Sequence, residues 1–519
     1  MSAAFPRSIA ASSPDDFSHR ERIVILFGLM LGMFLAALDQ TIVATALAPM
    51  AADLKGEGHL SWVVSAYLLT STAVTPIYGK LSDHYGRKRM LQIAIVIFVT
   101  MSLLCGLADS MTMLILFRGL QGVGGGGLLA MAHATIADVI SPRERGRYQG
   151  YIASVFAASS VAGPVLGGLF VEYATWRWVF WINLPIGLAA LLVSQLTLRR
   201  LVAKNLRHRI DYAGAILLVA SVCCVLLITT MGGNEIPWNA PEIKGLGGLA
   251  LGFFAACIWQ ERRASEPILP PRLFSNAIFR VANSINFLNS TVMLGSIVFL
   301  PLFFQMVFGL SADGSGLMLI PLTAGTVLGA LTCGRLVAKT GRYKIFPPIG
   351  LSLLILGMLL LATAGHRTPL TLLGVYMGLA GFGIGFTMPV LLVAVQNAVE
   401  VRDLGAGTAS ITFFRSMGGS LGVAIFGALL LDRLKLILPP DCGLRAADLL
   451  QAGSDAGTLI PQALRASLMA GMEGAFHGLF FWGAGLAGLA LLLAFGLREI
   501  PLRGGSPMVK TTAAAALSD

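Results

Sequence analysis

The sequence predicts an all-α integral membrane protein built from two related bundles of six spanning helices, with two further helices inserted between them. Composition is the first reason. Of 519 residues, 56% are hydrophobic and 12% charged, whereas soluble domains carry about twice that charge. The second is length: apolar runs of about 18 residues or more recur along the chain, enough to cross a ~30 Å hydrocarbon core. The third is an internal repeat. Gly79-Lys-Leu-Ser-Asp-His-Tyr-Gly-Arg-Lys-Arg89 returns as Gly334-Arg-Leu-Val-Ala-Lys-Thr-Gly-Arg-Tyr-Lys344, displaced by 255 residues. The same displacement carries Gly163, Leu166 and Gly167 onto Gly418, Leu421 and Gly422, and Arg147 and Gly150 onto Arg402 and Gly405.

Fourteen spans follow in order. The first, 23–48, comes after a polar tail, 1–22; it is too long for a signal h-region and lacks a small-residue cleavage site, so it is expected to remain as a helix. With 60–79, 90–108, 111–137, 149–171 and 178–198 it makes an N-terminal bundle over 23–200. The spans 212–231 and 245–260, the latter short, have no counterpart in the repeat and occupy an insert over 201–280. The segment 261–281, with Pro267, Pro270, Pro271 and four arginines, reads as a linker without structure. The spans 282–308, 315–337, 345–364, 369–394, 408–431 and 475–496 make a C-terminal bundle over 281–497, interrupted by one long loop, 433–474, and followed by a tail, 498–519. Abundant glycine (60 residues) suits helices that must approach closely in lipid. Two duplicated halves of this kind are common in secondary transporters.

The net charge of +11 is placed by topology. With the N-terminus inside, inner loops and tails hold roughly 27 of the 37 Lys and Arg and outer loops about 8, the positive-inside pattern. This predicts a multi-pass protein of the cytoplasmic membrane with both termini in the cytoplasm. Inner clusters include Arg87-Lys88-Arg89, Arg143, Arg145 and Arg147, and Arg199 to Arg209. Nucleic-acid binding would need such residues on one continuous face, and they are dispersed. Five of the six cysteines lie in or near spans and Cys442 lies outside, giving neither a disulfide framework nor metal-ligand spacing. No nucleophile–base cluster supports an enzyme.

Asp39 is the one acidic residue well inside a span. A carboxylate there costs several kcal/mol unless it is paired, protonated or facing water, so its protonation can follow conformation. Arg118 is its natural partner: at 1.5 Å per residue the two lie at roughly matching depths, about 15 and 10 Å below the outer ends of their helices. Gly119, Gly122 and Gly124 to Gly127 would let neighbouring backbones close in. Arg415 falls at the wrong depth for Asp39 and is expected to snorkel to the inner interface. In the fifth span, Gly163, Pro164, Gly167 and Gly168 remove one helical hydrogen bond and offer a small-residue surface for gating. His133 reads as a core residue rather than a relay, and Trp176, Trp178 and Trp181 as an outer aromatic belt. Polar residues in spans, Gln40, Thr41, Gln121, Asn286 and Gln305, are the candidates to line a substrate cavity.

These residues together resemble the major facilitator superfamily, and within it the fourteen-span drug/proton antiporters, over residues 20–500. Gly79–Arg89 resembles the loop signature between spans two and three, Arg118 to Gly124 the fourth-span signature, and Gly163–Gly168 the fifth-span signature of antiporters. Leu38-Asp39-Gln-Thr-Ile-Val43 and Trp176 to Gly187 are similar to signatures of the fourteen-span group. The resemblance implies two bundles around a central cavity, alternating access, and export of amphipathic small molecules driven by proton entry, with no cofactor and no metal. It assigns Asp39 to proton coupling, Arg118 to its modulation, and Gly79, Asp83, Gly86 and Arg87 to a cytoplasmic latch. Ala338 stands where the second half would repeat Asp83, so Asp83 must find its partner elsewhere. No acidic residue occurs in 315–337, against efficient export of divalent cations. A monomer in the lipid bilayer is the expected working unit, with a periplasmic adaptor protein as an optional partner. The competing expectation is an exporter dedicated to one endogenous metabolite, toxin or siderophore.

Overall fold

Long apolar sequence in lipid leaves the backbone no partner but itself, and helices are the direct solution. The computed structural model describes residues 19–55, 60–140, 142–198, 211–232, 236–264, 267–438 and 465–502. No strand occurs among the described residues, and every predicted span coincides with helix. The first bundle contains α1 (His19–Leu54), α2 (Leu60–Tyr85), α3 (Arg87–Gly106), α4 (Met111–Val139), α5 (Pro142–Tyr173) and α6 (Trp178–Thr197, broken by one turn at Ile182). The insert contains α7 (Tyr212–Met231) and α8 (Pro241–Glu261). The second bundle contains α9 (Ala277–Phe308), α10 (Ile320–Thr340), α11 (Phe346–Leu361), α12 (Leu370–Ala398), α13 (Leu404–Ile437) and α14 (Arg465–Phe495). Among the described residues, eleven helices are long and apolar enough to cross a membrane. Of the others, α11 is shorter, while α2 and α13 are long, kinship partners in packing across the two halves.

The duplication is visible in which helices touch. In the first half α1 packs on α5 and α6, and α4 on α2 and α3; in the second half α9 packs on α13 and α14, and α12 on α10 and α11. The halves meet through α2 against α13 and α5 against α10, contacts that the two-fold relation exchanges. Glycines set the closest approaches. A Cβ on Gly122 would lie 2.4 Å from the Tyr67 carbonyl and one on Gly126 2.2 Å from that of Ser71; Gly381 and Gly385 repeat this at 2.0 and 1.9 Å from Leu322 and Thr326. Both copies of the loop place a glycine at positive φ, Gly86 at +91° and Gly341 at +70°, a region L side chains rarely adopt, although ψ differs (146° and 3°).

The insert is a helical hairpin at the rim. Helices α7 and α8 pack on each other, and α7 also touches α2 and α13. Leu251 on α8 is 72% exposed, as expected of a face turned to lipid. At 21 residues α8 is a full span, longer than expected from its apolar run.

The structure corrects the expectation for 261–281. Glu261 ends α8 by accepting the backbone N–H groups of Ile268 and Leu269 at 3.1 and 3.2 Å, a short helix covers Pro271–Ser275, and Asn276 caps α9 through Ile278 and Phe279. Arg272 then binds Asp403 through both Nε and Nη2, at 2.9 and 2.7 Å. Prolines and arginines that read as linker are thus used to turn the chain and dock it on the start of α13. The long loop is shorter than expected, because α13 runs on to Ile437 and α14 begins at Arg465. Most of that loop, 439–464 with Cys442, lies outside the described residues, as do 1–18, 199–210 and 503–519.

Candidate functional site

Two polar constellations interrupt the apolar interior. The first surrounds Asp39. Its carboxylate is fully buried, and Arg118 is 1% exposed. Arg118 Nη1 donates to Asp39 Oδ2 at 2.6 Å, while Gln121 Nε2 and Asn183 Nδ2 each donate to Oδ1 at 2.9 Å. The arginine is itself held from several sides: Nε donates to the Val63 carbonyl at 3.1 Å, Nη1 also to Gln121 Oε1 at 2.8 Å, and its guanidinium lies 4.4 Å from the Tyr67 ring centroid. Ser102 supports Asn183 by accepting its second amide hydrogen at 3.0 Å. Helices α1, α2, α3, α4 and α6 therefore converge on one carboxylate. A buried pair is tolerable only when its remaining polar atoms are satisfied, and this one is satisfied on both oxygens. The cage lies inside the first bundle.

Asn183, Ser102 and Tyr67 were not among the residues singled out from sequence. Asn183 sat within the Trp176–Gly187 motif, so its position carried a signal, but an amide in an apolar run does not announce which carboxylate it serves.

The second half keeps the frame of this site and none of its charge. Leu38-Asp39-Gln40-Thr41-Ile42-Val43 of α1 lines up with Leu288-Asn289-Ser290-Thr291-Val292-Met293 of α9. The same kind of contact recurs: Thr41 Oγ1 donates to a carbonyl of α5, that of Ser159, and Thr291 Oγ1 to a carbonyl of α13, that of Gly418, both at 2.9 Å. Asn289 thus occupies the place of Asp39. The displacement that carries Gly122 to Gly381 carries Arg118 to Met377. Both Asn289 and Met377 are fully buried.

The second constellation is the loop between α2 and α3. Arg87 pairs with Asp83 (Nη2 to Oδ1, 2.7 Å) and Asp138 (Nε to Oδ2, 2.7 Å), and Nη1 donates to Ser82 Oγ. Asp83 Oδ2 accepts the N–H of Ala406 at 3.2 Å, in the first turn of α13. That is the partner Asp83 lacked in sequence. It is a helix N-terminus, whose free N–H groups and positive dipole end suit a carboxylate. Side chains are excluded from the contact: a Cβ on Gly405 would lie 2.5 Å from Arg87 Nη1, and one on Gly79 2.4 Å from the Ala409 methyl. Arg145 Nη1 adds a bond to Gln396 Oε1 across the halves at 3.4 Å. In this conformation the halves are joined at the end that carries the 79–89 loop.

The other expected residues go to separate places. A Cβ on Gly163 would lie 2.1 Å from Thr41 Oγ1, and one on Gly167 2.0 Å from Thr45 Oγ1, so these glycines set the α1–α5 contact. Pro164 lies inside a continuous α5, and Gly168 faces open space. Gly163→Ala is expected to slow transport about tenfold or more by prising α1 from α5, on the order of 1–3 kcal/mol of overpacking, while Gly168→Ala leaves it within a factor of two. Equal effects in a vesicle efflux assay would remove the packing role. Thr41 is spent on α5, Gln121 on Asp39, Asn286 on the Ile411 carbonyl at 2.7 Å and Gln305 on Ser315 at 2.8 Å, while Gln40 is half-buried beside Asp39. They do not form one lining.

Of the tryptophans, Trp178 is 46% exposed, but Trp176 is buried and donates Nε1–H to Asp53 Oδ2 at 2.9 Å. That bond and the Arg177 guanidinium hold the Asp53 carboxyl below the usual range. Trp181 packs on Gly106. Trp176 thus ties the end of α1 to the segment leading into α6, and Trp181 ties α6 to α3, so the three rings do not form a belt together.

Comparison with known proteins agrees with this architecture. The sequence profile of the Major Facilitator Superfamily matches residues 29–423. An uncharacterized MFS-type transporter of Mycobacterium tuberculosis is 38% identical over 501 residues, 96% of this chain and 72% of that protein. Multidrug resistance protein 3 of Bacillus subtilis is 39% identical over 406 residues, 78% of each chain, and the multidrug transporter protein MdtP of the same organism is 38% identical over 419 residues, 79% of this chain and 75% of that one. Among solved structures, a double tryptophan mutant of XylE superposes with a TM-score of 0.62 at 14% identity, covering 93% of this chain and 98% of that one. Duplicated bundles, a glycine-lined seam closed by the 79–89 loop and a family match over most of the chain lead to one assignment: this protein belongs to the major facilitator superfamily and is a membrane transporter, not an enzyme.

Proposed function

We propose that the protein is a proton-coupled exporter of amphipathic small molecules, working by alternating access in the cytoplasmic membrane with both termini inside. The observation that carries this reading is the Asp39 cage. An ionised carboxylate with every oxygen satisfied is stable only while its donors stay in place, so a proton can replace them only when α1, α4 and α6 shift. Asp39 is in that case the proton site, and Arg118 its counter-charge. Asp83 and Arg87 close the cytoplasmic end, and their contact with α13 must break for that end to open. Relatives named multidrug transporters support breadth of substrate. Inverted membrane vesicles with an imposed pH gradient test the reading over a panel of chemically unrelated dyes and antibiotics. Uphill accumulation of several, collapsed by dissipating the gradient, is the expected result. Accumulation of a single compound would favour a dedicated exporter, and gradient-independent accumulation would end the proton-coupled reading.

A further inference from the structure

Arg415 was expected to snorkel to the inner interface, and the structure places it otherwise. It lies eleven residues into α13, about 16 Å along the axis from Leu404, past the seam where Asp83 binds Ala406 and Gln396 Nε2 donates to Thr408 Oγ1 at 3.3 Å. Its side chain is half-buried. The residues two positions to either side, Phe413 and Met417, pack with Ala73 and Leu69 of α2, so this stretch of α13 runs along the boundary between the halves. Helix α4, which also packs on α13, carries His133, 3% exposed and within reach of the arginine's charge. His133 Nδ1 is bonded to the Leu129 carbonyl of its own helix at 2.9 Å, which leaves Nε2 for a ligand. Among the described residues Arg415 makes no hydrogen bond and no ion pair, and no carboxylate acts on it. The buried arginines are engaged elsewhere: Arg118 with Asp39, Arg87 with Asp83 and Asp138, and Arg145 with the Ile140 carbonyl and Gln396. An unpaired guanidinium between membrane helices costs several kcal/mol, and such residues ordinarily mark a substrate or ion path.

We propose that Arg415 is an anion-binding point at the boundary between the halves, so that amphipathic carboxylates are among the compounds exported. The proposal rests on the export reading above and narrows it to a substrate class. A guanidinium meets a carboxylate through two parallel N–H···O bonds, so one side chain supplies both charge and orientation. The boundary between the halves widens or closes as they move, and an anion bound there would be carried from one side to the other. His133 Nε2 would accept a hydrogen bond from a hydroxyl or N–H next to the carboxylate. Nothing in the Asp39 cage is needed for this contact, because that cage lies within the first bundle.

Two xanthene dyes of opposite charge separate the possibilities: fluorescein, a carboxylate, and rhodamine 123, a cation. Binding of each to purified protein in detergent is measured by fluorescence anisotropy for the wild type, Arg415→Gln and Arg415→Lys. The expected result is that Arg415→Gln lowers the affinity for fluorescein relative to that for rhodamine 123 by about 10- to 100-fold, the range for losing a charge-assisted hydrogen bond. Arg415→Lys should recover part of that ratio, since it keeps the charge and loses the fork. A purely structural arginine would lower both affinities together and leave the ratio unchanged, which would overturn the proposal. Failure of fluorescein to bind the wild type would overturn it as well, whatever happens to rhodamine 123. Export of rhodamine 123 by the same wild-type protein in vesicles is scored separately, so that loss of the efflux reading and loss of the anion site are distinguishable.

Discussion

Asp39→Asn is expected to abolish uphill export and to lower thermal stability, and adding Arg118→Met is expected to recover the stability without the export. The single substitution keeps the shape of the side chain but leaves a fully buried guanidinium with no counter-ion. Breaking a buried pair from one side costs about 3–5 kcal/mol, whereas replacing both partners by apolar or neutral groups of similar volume is often neutral. The second half of this protein already carries that replacement, with Asn289 and Met377 at the corresponding positions of the same helical frame. Export should fall by roughly 100-fold or more in both variants, because no other acid lies near the middle of a described span to take the proton. Melting in detergent and gradient-driven flux in vesicles read the two effects apart. A double variant as unstable as the single one would mean that the pair stabilises the first bundle in its own right. Flux retained by either variant would remove Asp39 from coupling.

Asp83→Asn is expected to lower turnover for every substrate by a similar factor, with little change in binding. The amide can still accept the Ala406 N–H, but it loses the charge that attracts both the α13 N-terminus and Arg87. Arg87 keeps Asp138, so the loop retains its fold while the cross-half contact weakens. A bias of about 1–3 kcal/mol shifts such an equilibrium 5–150-fold. Gly405→Val should act more strongly at the same point, since its Cβ alone would come within 2.5 Å of Asp83 and Arg87. Steady-state rates and dissociation constants over several substrates check this. Losses of affinity that differ from substrate to substrate would place the loop in recognition instead.

Much of this was readable from local sequence because membranes impose strong local rules. Span length and hydropathy fix helix positions, and the 255-residue register fixes the duplication down to the positive-φ glycines Gly86 and Gly341. The depth argument brought Asp39 and Arg118 to one level, and they touch. What sequence did not reveal depends on helix rotation, which a span's overall hydropathy does not encode. Thr41 and Asn286 are polar residues in spans, yet they turn to neighbouring backbones and not to a common cavity. Arg415 has the length to snorkel, but it sits between Phe413 and Met417 on the stretch of α13 that packs against α2. The partner of Asp83 was illegible for another reason: it is a backbone N–H, made available only by where α13 begins. The linker at 261–281 was misread because prolines and arginines look alike whether they dangle or dock.

If substrate and proton exchange through Asp39, substrate binding should release a proton. Purified protein in weakly buffered detergent solution is mixed with a substrate that carries no titratable proton, and the pH change is recorded. About one proton released per substrate bound is expected of the wild type, because binding that closes the cage on a protonated Asp39 expels its proton. Asp39→Asn/Arg118→Met should bind substrate and release none. Equal release from the wild type and from this double variant would contradict the account.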